Sequence, residues 1–297
     1  MADAGEGAGL GHMSRSGAVA IALRRLRVGD VPCFGLAARR RLELDGQIWV
    51  PLRSLHELPI PSVLVLDSYR VPVETVEGLA RDLRLVLMHD LLPVPDQTAL
   101  VLSLDTDASP QAIDGLRDAC LRPPFWDVPA RSHRERVERV LVTTGGGDPG
   151  GAGLRIARAA RNTAPEAEVA LVRGPYADPG APEGITAIVT PDSLVDELLR
   201  ADVVVTGAGQ TMLEACASGA PCIAVPLADD QREQGNRAAS LSAVVYVEPE
   251  EVPGALDELR DADARRRLGV AARRAVDGQG ALRVAERIGH LLADTQR

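Results

Sequence analysis

Near-continuous apolar runs, separated by helical patterns, constrain the fold of this chain more than any other feature of its sequence. Examples are VLVL from residue 63, RLVL from residue 84 and VLVT from residue 140. Such runs are typical of strands whose two faces are both covered, which is the situation in parallel sheets flanked by helices. The sequence therefore predicts an α/β protein with doubly wound parallel sheets.

Two sets of these runs predict two domains. Residues 120–136, which read CLRPPFWDVPARSHRER, interrupt the pattern with proline and charge between the sets. We therefore predict a Rossmann-like N-terminal domain over residues 1–135 and a second one over residues 136–297. We predict helices over residues 14–26, 154–162 and 231–241, and the last two ranges have an amphipathic pattern.

Charge and composition exclude several classes of function. The net charge of −9 argues against nucleic acid as a partner, and no apolar run has the length of a membrane span. All 33 basic residues are arginine, which excludes P-loop and Schiff-base chemistry that depends on lysine. The four cysteines are scattered without a disulfide or zinc pattern. We therefore predict a cytoplasmic protein that uses no metal and no cofactor.

Three polar loops follow strands of the predicted C-terminal sheet. They begin TTGGGD at residue 143, TGAGQT at residue 206 and PLADDQ at residue 226. In doubly wound domains, ligands bind where parallel strands end. Glycine amides and helix N-termini there suit an anion, so the loops favour a nucleoside diphosphate, with Thr211 as a candidate N-cap. For each loop taken alone, the alternative is an ordinary tight turn.

Residues 202–247 resemble the C-terminal half of the GT-B nucleotide-sugar enzymes, which include the peptidoglycan GlcNAc transferase. The resemblance is carried by GAGQTMLEACASGAP from residue 207. It implies that this half binds UDP, with Gly209 and Thr211 near the diphosphate and Glu214 at the ribose hydroxyls. A carboxylate suits a diol because both of its oxygens accept hydrogen bonds. The alternative for Glu214 is a solvated acid in the first turn of a helix.

Over most of its length the chain is similar to nucleotide-sugar hydrolases of the pseudaminic acid pathway, and also to spore-coat polysaccharide proteins. The shared motifs are GAGLGHMSR from residue 7, VLDSYRV from 65, VLMHDLL from 86, VLVTTGGGD from 140 and VDGQGALRVAERI from 276. The resemblance implies a GT-B fold, in which two Rossmann-like domains face a cleft. It also implies metal-independent, inverting hydrolysis of UDP-2,4-diacetamido-2,4,6-trideoxy-β-L-altropyranose to UDP and the free sugar.

The same resemblance assigns His12 as the general base that acts on water. Imidazole accepts a proton near neutral pH, which suits this role. A capping or packing histidine is the alternative. Tyr69 matches a tyrosine near the sugar, and its alternative is an ordinary amphipathic aromatic residue at the end of a strand.

The remaining candidates at the substrate are less specific, because each has a common structural role. His89, next to Asp90, departs from a pair of acids in the family, and an arginine such as Arg15 is more often simply exposed on a helix. The predicted substrate-binding residues are Gly11, Arg15, Asp67, Asp90, Arg122, Gly145, Gly146, Gly147, Asp148, Gly209, Gln210, Thr211, Glu214, Gln231 and Asn236.

The first strand departs from the family pattern. The family begins with an apolar strand that ends in Arg-Ala-Asp, whereas MADAG matches only its last residues. Either the recorded sequence starts too late to include this strand, or residues 2–4 serve as a stub of it. Because the strand is central in a doubly wound sheet, its loss leaves unpaired backbone groups and an apolar slot. We expect a gap or an irregular stub where residues 1–4 enter the N-terminal sheet.

Two other functions remain open at this point. One is a GT-B glycosyltransferase that uses the same donor site with a sugar, lipid or natural-product acceptor. The other is a nucleotide-sugar binding protein without catalysis, which the incomplete first strand would favour. Release of UDP with and without an acceptor distinguishes the three functions.

Overall fold

The computed structural model describes most of the chain. The described residues are 1–3, 10–28, 31–36, 38, 41–53, 57–58, 61–88, 94–105, 109–178, 180, 182–191 and 193–293. His89 and Asp90, two of the residues considered for the sugar side of the site, lie outside these ranges.

The chain divides into two compact units. The first comprises Met1–Pro123 together with Gln279–Arg297, and the second comprises Pro124–Gly278. This division differs from the expected domains, residues 1–135 and 136–297, in two ways. The boundary falls earlier in the chain, and the C-terminal segment returns to the first unit.

The first unit is built mainly on parallel strands. The strands are β1 (Ala2–Asp3), β2 (Cys33–Leu36), β3 (Leu42–Leu44), β4 (Gln47–Leu52), β5 (Val63–Leu66), β6 (Arg84–Leu87), β7 (Leu100–Ser103) and β8 (Ala112–Asp114). They pair in the orders β3-β4-β2-β1 and β5-β6-β7-β8, and the β3–β4 pair is antiparallel. A single bridge between Ala2 and Asp67 joins the two sets, so β1 lies between β2 and β5.

The expected stub is present as β1. It has two residues, and Ala2 pairs with Gly35 on one side. On the other side, the Asp3 amide donates to the Asp67 carbonyl at 3.0 Å. Ala2 is fully buried, as a residue of a central strand should be. A stub is therefore present as expected, but it is a regular strand that pairs with β2 and bridges to β5, rather than a gap or an irregular segment.

The helices flank these strands in both units. They are α1 (Gly11–Arg25), α2 (Val73–Asp82), α3 (Ala152–Thr163), α4 (Val195–Arg200), α5 (Gln210–Ala217), α6 (Gln231–Ser240), α7 (Val252–Glu258), α8 (Ala262–Ala275) and α9 (Gly280–Ala293). Three of them, α1, α3 and α6, lie where the sequence predicts helices. Within the described ranges, no helix is both long enough and apolar enough to cross a membrane.

Helix α9 explains why the end of the chain belongs to the first unit. Its buried residues Ala281, Val284, Ala285 and Ile288 recur at the spacing of one helical face. That helix packs against α1 and β5. Gly280 permits the close approach, because a Cβ there would lie 2.3 Å from the carbonyl carbon of Asp118.

The second unit contains a parallel sheet of the Rossmann type. Its strands are β9 (Arg139–Thr143), β10 (Glu168–Arg173), β11 (Thr186–Val189), β12 (Val203–Gly207), β13 (Cys222–Val225) and β14 (Val245–Tyr246). They lie in the order β11-β10-β9-β12-β13-β14, which is the doubly wound order with β9 and β12 at the centre. The side chains of β9, β12 and β13 are buried along most of each strand, as their apolar sequences require. The predicted fold class is confirmed.

Candidate active site

The strand order brings together two loops of the first unit. The chain leaves β1 towards β2 and leaves β5 towards β6, in opposite directions across the sheet. Doubly wound sheets bind ligands at such a switch point, beside the carboxyl ends of the strands. Helix α1 begins near the end of β1, and Asp67 directly follows β5. His12 and Asp67 therefore meet although 55 positions separate them in the sequence.

The contact between His12 and Asp67 is short and buried. His12 Nδ1 lies 2.6 Å from Asp67 Oδ1. Asp67 has no exposed surface, and His12 is 8% exposed. A carboxylate only accepts hydrogen bonds, so Nδ1 carries the proton of the neutral ring and donates a hydrogen bond to Asp67. The other ring nitrogen, Nε2, is then the basic one.

Arg15 and Ser16 complete the surroundings of Asp67. Because they follow His12 by three and four positions, they lie on the same face of α1. Arg15 Nε donates to Oδ2 and Arg15 Nη2 to Oδ1, both at 2.6 Å, and Ser16 Oγ donates to Oδ2 at 3.1 Å. Arg15 Nη2 also lies 3.2 Å from His12 Nδ1, but both atoms are donors here, so Asp67 is what orients the ring.

These contacts keep Asp67 ionised. Burial alone would raise its pKa, but the charge of Arg15 and the hydrogen bonds from Arg15 and His12 outweigh burial and hold the pKa well below its usual range. In turn, burial would lower the pKa of Arg15, and its pairing with Asp67 raises that pKa instead. The carboxylate therefore remains a charged acceptor for the imidazole across the neutral range.

Tyr69 lies against the imidazole from the loop after β5. The two ring centroids are 4.5 Å apart, and the planes meet at 78°, an edge-to-face arrangement. The same loop is held by Asp3, whose carboxylate accepts from Ser68 Oγ at 2.7 Å and from the Tyr69 amide at 3.1 Å. Asp3 and Ser16 were not predicted. The helical spacing from His12 would have pointed to Ser16, and the match of Ala2 and Asp3 to the end of the family's first strand would have pointed to Asp3.

Two glycine turns meet at the switch point of the second unit. Gly145 follows β9 with a φ of 82°, a conformation that favours glycine. A Cβ on Gly145 would lie 3.8 Å from Thr211 Oγ1, so this turn adjoins the start of α5, which follows β12. Gly209 is the N-cap of α5, which places Thr211 in the first turn rather than at the predicted N-cap. The amides of both turns lie at the edge where an anion is expected.

Asp148 and Arg173 stabilise the glycine turn that contains Gly145, which we call the first glycine turn. Asp148 Oδ1 accepts from the Gly153 amide at 2.7 Å, and Oδ2 accepts from Arg173 Nη1 at 2.7 Å. Arg173 is 2% exposed. Both oxygens of Asp148 therefore have internal donors, and the structure places this side chain within the loop. Gly174 lets the turn approach β10, because a Cβ there would lie 2.3 Å from the Gly145 carbonyl oxygen.

Helix α6 supports the second turn through two glutamines. Gln231 Oε1 accepts from the Leu227 amide at 3.2 Å, and its side chain lies over Gly209. Gln234 Nε2 donates to the Ala208 carbonyl at 2.8 Å. Gln234 was not predicted, although its spacing of three from Gln231 places it on the same helical face. Asn236, which was predicted, is exposed.

The other predicted residues lie as follows. Glu214 is buried, at 4% exposure, in α5, and Gln210 begins that helix. Gly146 and Gly147 continue the first turn, where Gly146 accepts from the Tyr176 amide at 2.9 Å. In the first unit, Gly11 starts α1, and Arg122 pairs with Asp45 at 3.2 Å. Among the residues that the structure describes, no group of His, Cys, Asp and Glu could hold a metal ion.

Solved structures with the same fold are known. The chain is similar to the calicheamicin glycosyltransferase CalG4, at 16% identity and a TM-score of 0.65, over 99% of this chain and 97% of that one. It is also similar to SsfS6 from Streptomyces sp. SF2575, a glycosyltransferase complexed with thymidine diphosphate, at 14% identity and a TM-score of 0.61, over 96% and 98% of the two chains.

A third similar structure is MurG of Acinetobacter baumannii, at 12% identity and a TM-score of 0.60, over 93% of this chain and 95% of that one. No family model matches the chain, and no curated protein does. At these identities the likeness shows the fold, which is that of the GT-B glycosyltransferases with two Rossmann-like domains.

Proposed function

We propose that this protein is a glycosyltransferase that moves a sugar from a nucleoside diphosphate to an acceptor hydroxyl. The observation that carries the proposal is the His12–Asp67 pair at the switch point of the first unit, where His12 Nδ1 donates to the carboxylate at 2.6 Å. An imidazole oriented in this way presents a basic Nε2 to an O–H group. The likeness in fold to several glycosyltransferases supports the same reading.

In the proposed reaction, His12 Nε2 accepts the proton of the acceptor hydroxyl. The acceptor oxygen forms a bond to the anomeric carbon while the bond from that carbon to the diphosphate oxygen breaks. The proton remains on His12, and the electron pair leaves with the nucleoside diphosphate. Attack from the side opposite the leaving group inverts the anomeric centre. Asp67 stabilises the imidazolium that forms.

We assign the donor to the second unit. The turn at Gly145 and the start of α5 offer backbone amides and a helix N-terminus to the diphosphate, which stabilise its charge as the bond breaks. We propose that the Glu214 carboxylate binds the ribose hydroxyls. SsfS6, which has a similar fold, was crystallised with thymidine diphosphate.

Hydrolysis is the second candidate function, because water can replace the acceptor hydroxyl at the same base. The sequence resemblance to the pseudaminic acid hydrolases favours it, whereas the similar structures CalG4 and SsfS6 are glycosyltransferases. We therefore place transfer first. We propose the cytoplasm as the location, since the four cysteines, all of which the structure describes, are buried and form no disulfide, as is common in a reducing compartment.

The test is to incubate the protein with a panel of UDP- and dTDP-sugars and to measure release of the nucleoside diphosphate with and without candidate acceptors. Acceptor-dependent release supports transfer, and equal release in the absence of any acceptor supports hydrolysis. Binding of the nucleotide without release under either condition would contradict both.

The variant His12→Asn tests the role of the base independently of binding at the donor site. We expect it to abolish turnover while leaving the affinity for the nucleoside diphosphate, measured by calorimetry, within about twofold of the wild type, because the proposed donor residues lie in the other unit. His290→Asn is the matched control, since His290 is exposed near the end of α9. Turnover of His12→Asn close to that of the control would refute the role of His12.

A further inference from the structure

One aromatic side chain is exposed at the edge of the second unit where the glycine turns lie. Of the two Trp, three Tyr and two Phe residues of the chain, all of which the structure describes, Tyr176 alone is exposed, at 42%. A single exposed apolar side chain is ordinary on a protein surface. Tyr176, however, follows β10, which pairs with β9, and the first glycine turn follows β9. Its surroundings therefore bear on what the proposed donor site binds.

The main chain ties Tyr176 to the first glycine turn. The Tyr176 amide donates to the Gly146 carbonyl at 2.9 Å. Gly147 leaves space beside the side chain, because a Cβ on Gly147 would lie 3.9 Å from the Cβ of Tyr176. The tyrosine side chain therefore begins at contact distance from the turn whose amides we assign to the diphosphate.

Tyr176 also belongs to a rigid turn of its own. The Ala177 amide donates to the Gly174 carbonyl at 3.0 Å, which closes a β-turn with Pro175 and Tyr176 at its central positions. Proline fixes the backbone at the first of these positions. Arg173 Nε donates to the Asp178 carbonyl just beyond the turn. Because the turn is already ordered, a ligand that contacts the ring pays little to immobilise it.

Arg173 joins this turn to the loops on either side of it. Its Nη1 donates to Asp148 in the first glycine turn at 2.7 Å, and its carbonyl accepts from the Thr190 amide at 2.8 Å. Thr190 directly follows β11 and has a φ of 41°, a left-handed conformation that is strained for a β-branched residue. Strained residues of this kind cluster at ligand sites. The ends of β9, β10 and β11 are thus held together around one buried arginine.

The edge of the sheet differs in polarity on the two sides of the glycine turns. The strand order places β10 and β11 on one side of β9 and β12, and β13 and β14 on the other. The ends of β10 and β11 expose Tyr176 and Val189, the latter at 54%. The loop between β13 and α6 exposes the carboxylates of Asp229 and Asp230 instead. Carboxylates suit the hydroxyls of a sugar, whereas an aromatic ring suits the flat face of a base.

We infer that Tyr176 stacks against the nucleobase of the donor, so that the nucleoside lies towards β10 and β11 and the sugar lies towards β13. This assignment deepens the proposed function and rests on it. Every base has a π-face, so the stack holds the nucleoside in place and selects against donors whose base is not aromatic.

The first test is to measure UDP binding by calorimetry in variants of Tyr176. We expect Tyr176→Ala to raise the Kd about tenfold and Tyr176→Phe, which keeps the ring, to leave it within about twofold. Tyr176→Leu should resemble the alanine variant, because it keeps an apolar side chain without a ring. Val270→Ala is the matched control, since Val270 is an exposed apolar residue of α8, at 65%, and its Kd should not change.

A second ligand separates stacking from the other contacts of the base. In 5,6-dihydro-UDP the base keeps the hydrogen-bonding groups of uracil, but its ring is saturated and no longer aromatic. The wild type should bind this analogue about tenfold more weakly than UDP, whereas Tyr176→Ala should bind the two nucleotides almost equally. Equal losses in the wild type and in the variant would overturn the assignment of Tyr176.

Gly174→Ala distinguishes a failure of this assignment from a failure of the donor site. That substitution disturbs the first glycine turn, because the new Cβ would lie 2.3 Å from the Gly145 carbonyl oxygen. Weaker UDP binding in Gly174→Ala, together with unchanged binding in Tyr176→Ala, would overturn the role of Tyr176 and leave the proposed function standing. Failure of the wild type to bind either UDP or dTDP would overturn both. An unchanged Kd for UDP with a raised KM for an acceptor in Tyr176→Ala would assign the ring to the acceptor and overturn the stack.

Discussion

Replacement of Asp67 by asparagine should destabilise the first unit strongly at neutral pH. Four donor atoms, from His12, Arg15 and Ser16, converge on the two carboxylate oxygens. Each oxygen receives two of them, so an amide nitrogen at either position faces two donors and both contacts are lost. Hydrogen bonds to a charged group contribute about 1.5–3 kcal/mol each. Because the Arg15 side chain is 20% exposed, water replaces part of the loss, and we expect about 3 kcal/mol.

The difference should depend on pH in a defined direction. The pKa of Asp67 is lowered in the folded state relative to about 3.9 in an unfolded chain. The carboxylate therefore contributes its full stabilisation above about pH 4, and the wild type loses it as the pH falls towards the folded pKa. Urea unfolding of the wild type and of Asp67→Asn at pH 7, 5, 4 and 3 should show a gap that is constant down to about pH 4 and then narrows.

Asp45→Asn is the matched control for this experiment. It makes the same chemical change in the same unit, but among the described residues Asp45 has one ionic contact, with Arg122 at 3.2 Å. We expect a loss of no more than about 1 kcal/mol. A loss for Asp67→Asn as small as that of the control, or a gap that does not change between pH 4 and pH 3, would refute the account of Asp67 as the charged acceptor for His12 and Arg15.

Two further predictions concern the second unit. Gly174→Ala should weaken binding of the nucleoside diphosphate and destabilise the unit by about 1–3 kcal/mol, since the new Cβ would meet the carbonyl oxygen of Gly145. Gly180→Ala is the control, because nothing lies within 4 Å of a Cβ at that position, and it should change neither the binding nor the stability. Calorimetry measures the binding, and thermal unfolding measures the stability. Glu214→Ala should weaken UDP binding by about 1.5–3 kcal/mol. The wild type should bind 2′-deoxy-UDP more weakly than UDP by a similar free energy, whereas the variant should bind the two nucleotides almost equally. Additive losses of binding free energy would mean that Glu214 does not contact the ribose.

The clearest successes of sequence reasoning are long periodic segments. Residues 231–241 were expected to be helical, and α6 spans Gln231–Ser240. The short strand Leu42–Leu44 was missed, because its three residues, LEL, are too few to show a strand pattern and one of them is charged. The positions of the loops could also be predicted from the sequence, because glycine after an apolar run indicates a turn at the end of a strand. The sequence thus located both glycine turns of the second unit before their contact was known.

The partners of the candidate site residues required the tertiary structure. The sequence placed Asp67 at the end of a strand and His12 at the start of a helix, but nothing local indicated that their side chains meet. Their contact depends on the order of the strands in the sheet, which is settled by packing between segments far apart in the chain. The internal contacts of Asp148 depend on tertiary packing in the same way.

The apolar periodicity of this chain was sufficient to define an α/β fold with two parallel sheets, because period and burial are local properties of the sequence. It did not single out α9, whose apolar residues form one buried face in the structure. It did not show which surface covers that face, and only the folded chain returns α9 to the first unit, against α1. A pattern of apolar residues specifies that a surface must leave water, whereas the surface that it meets is selected by shape among all segments of the chain.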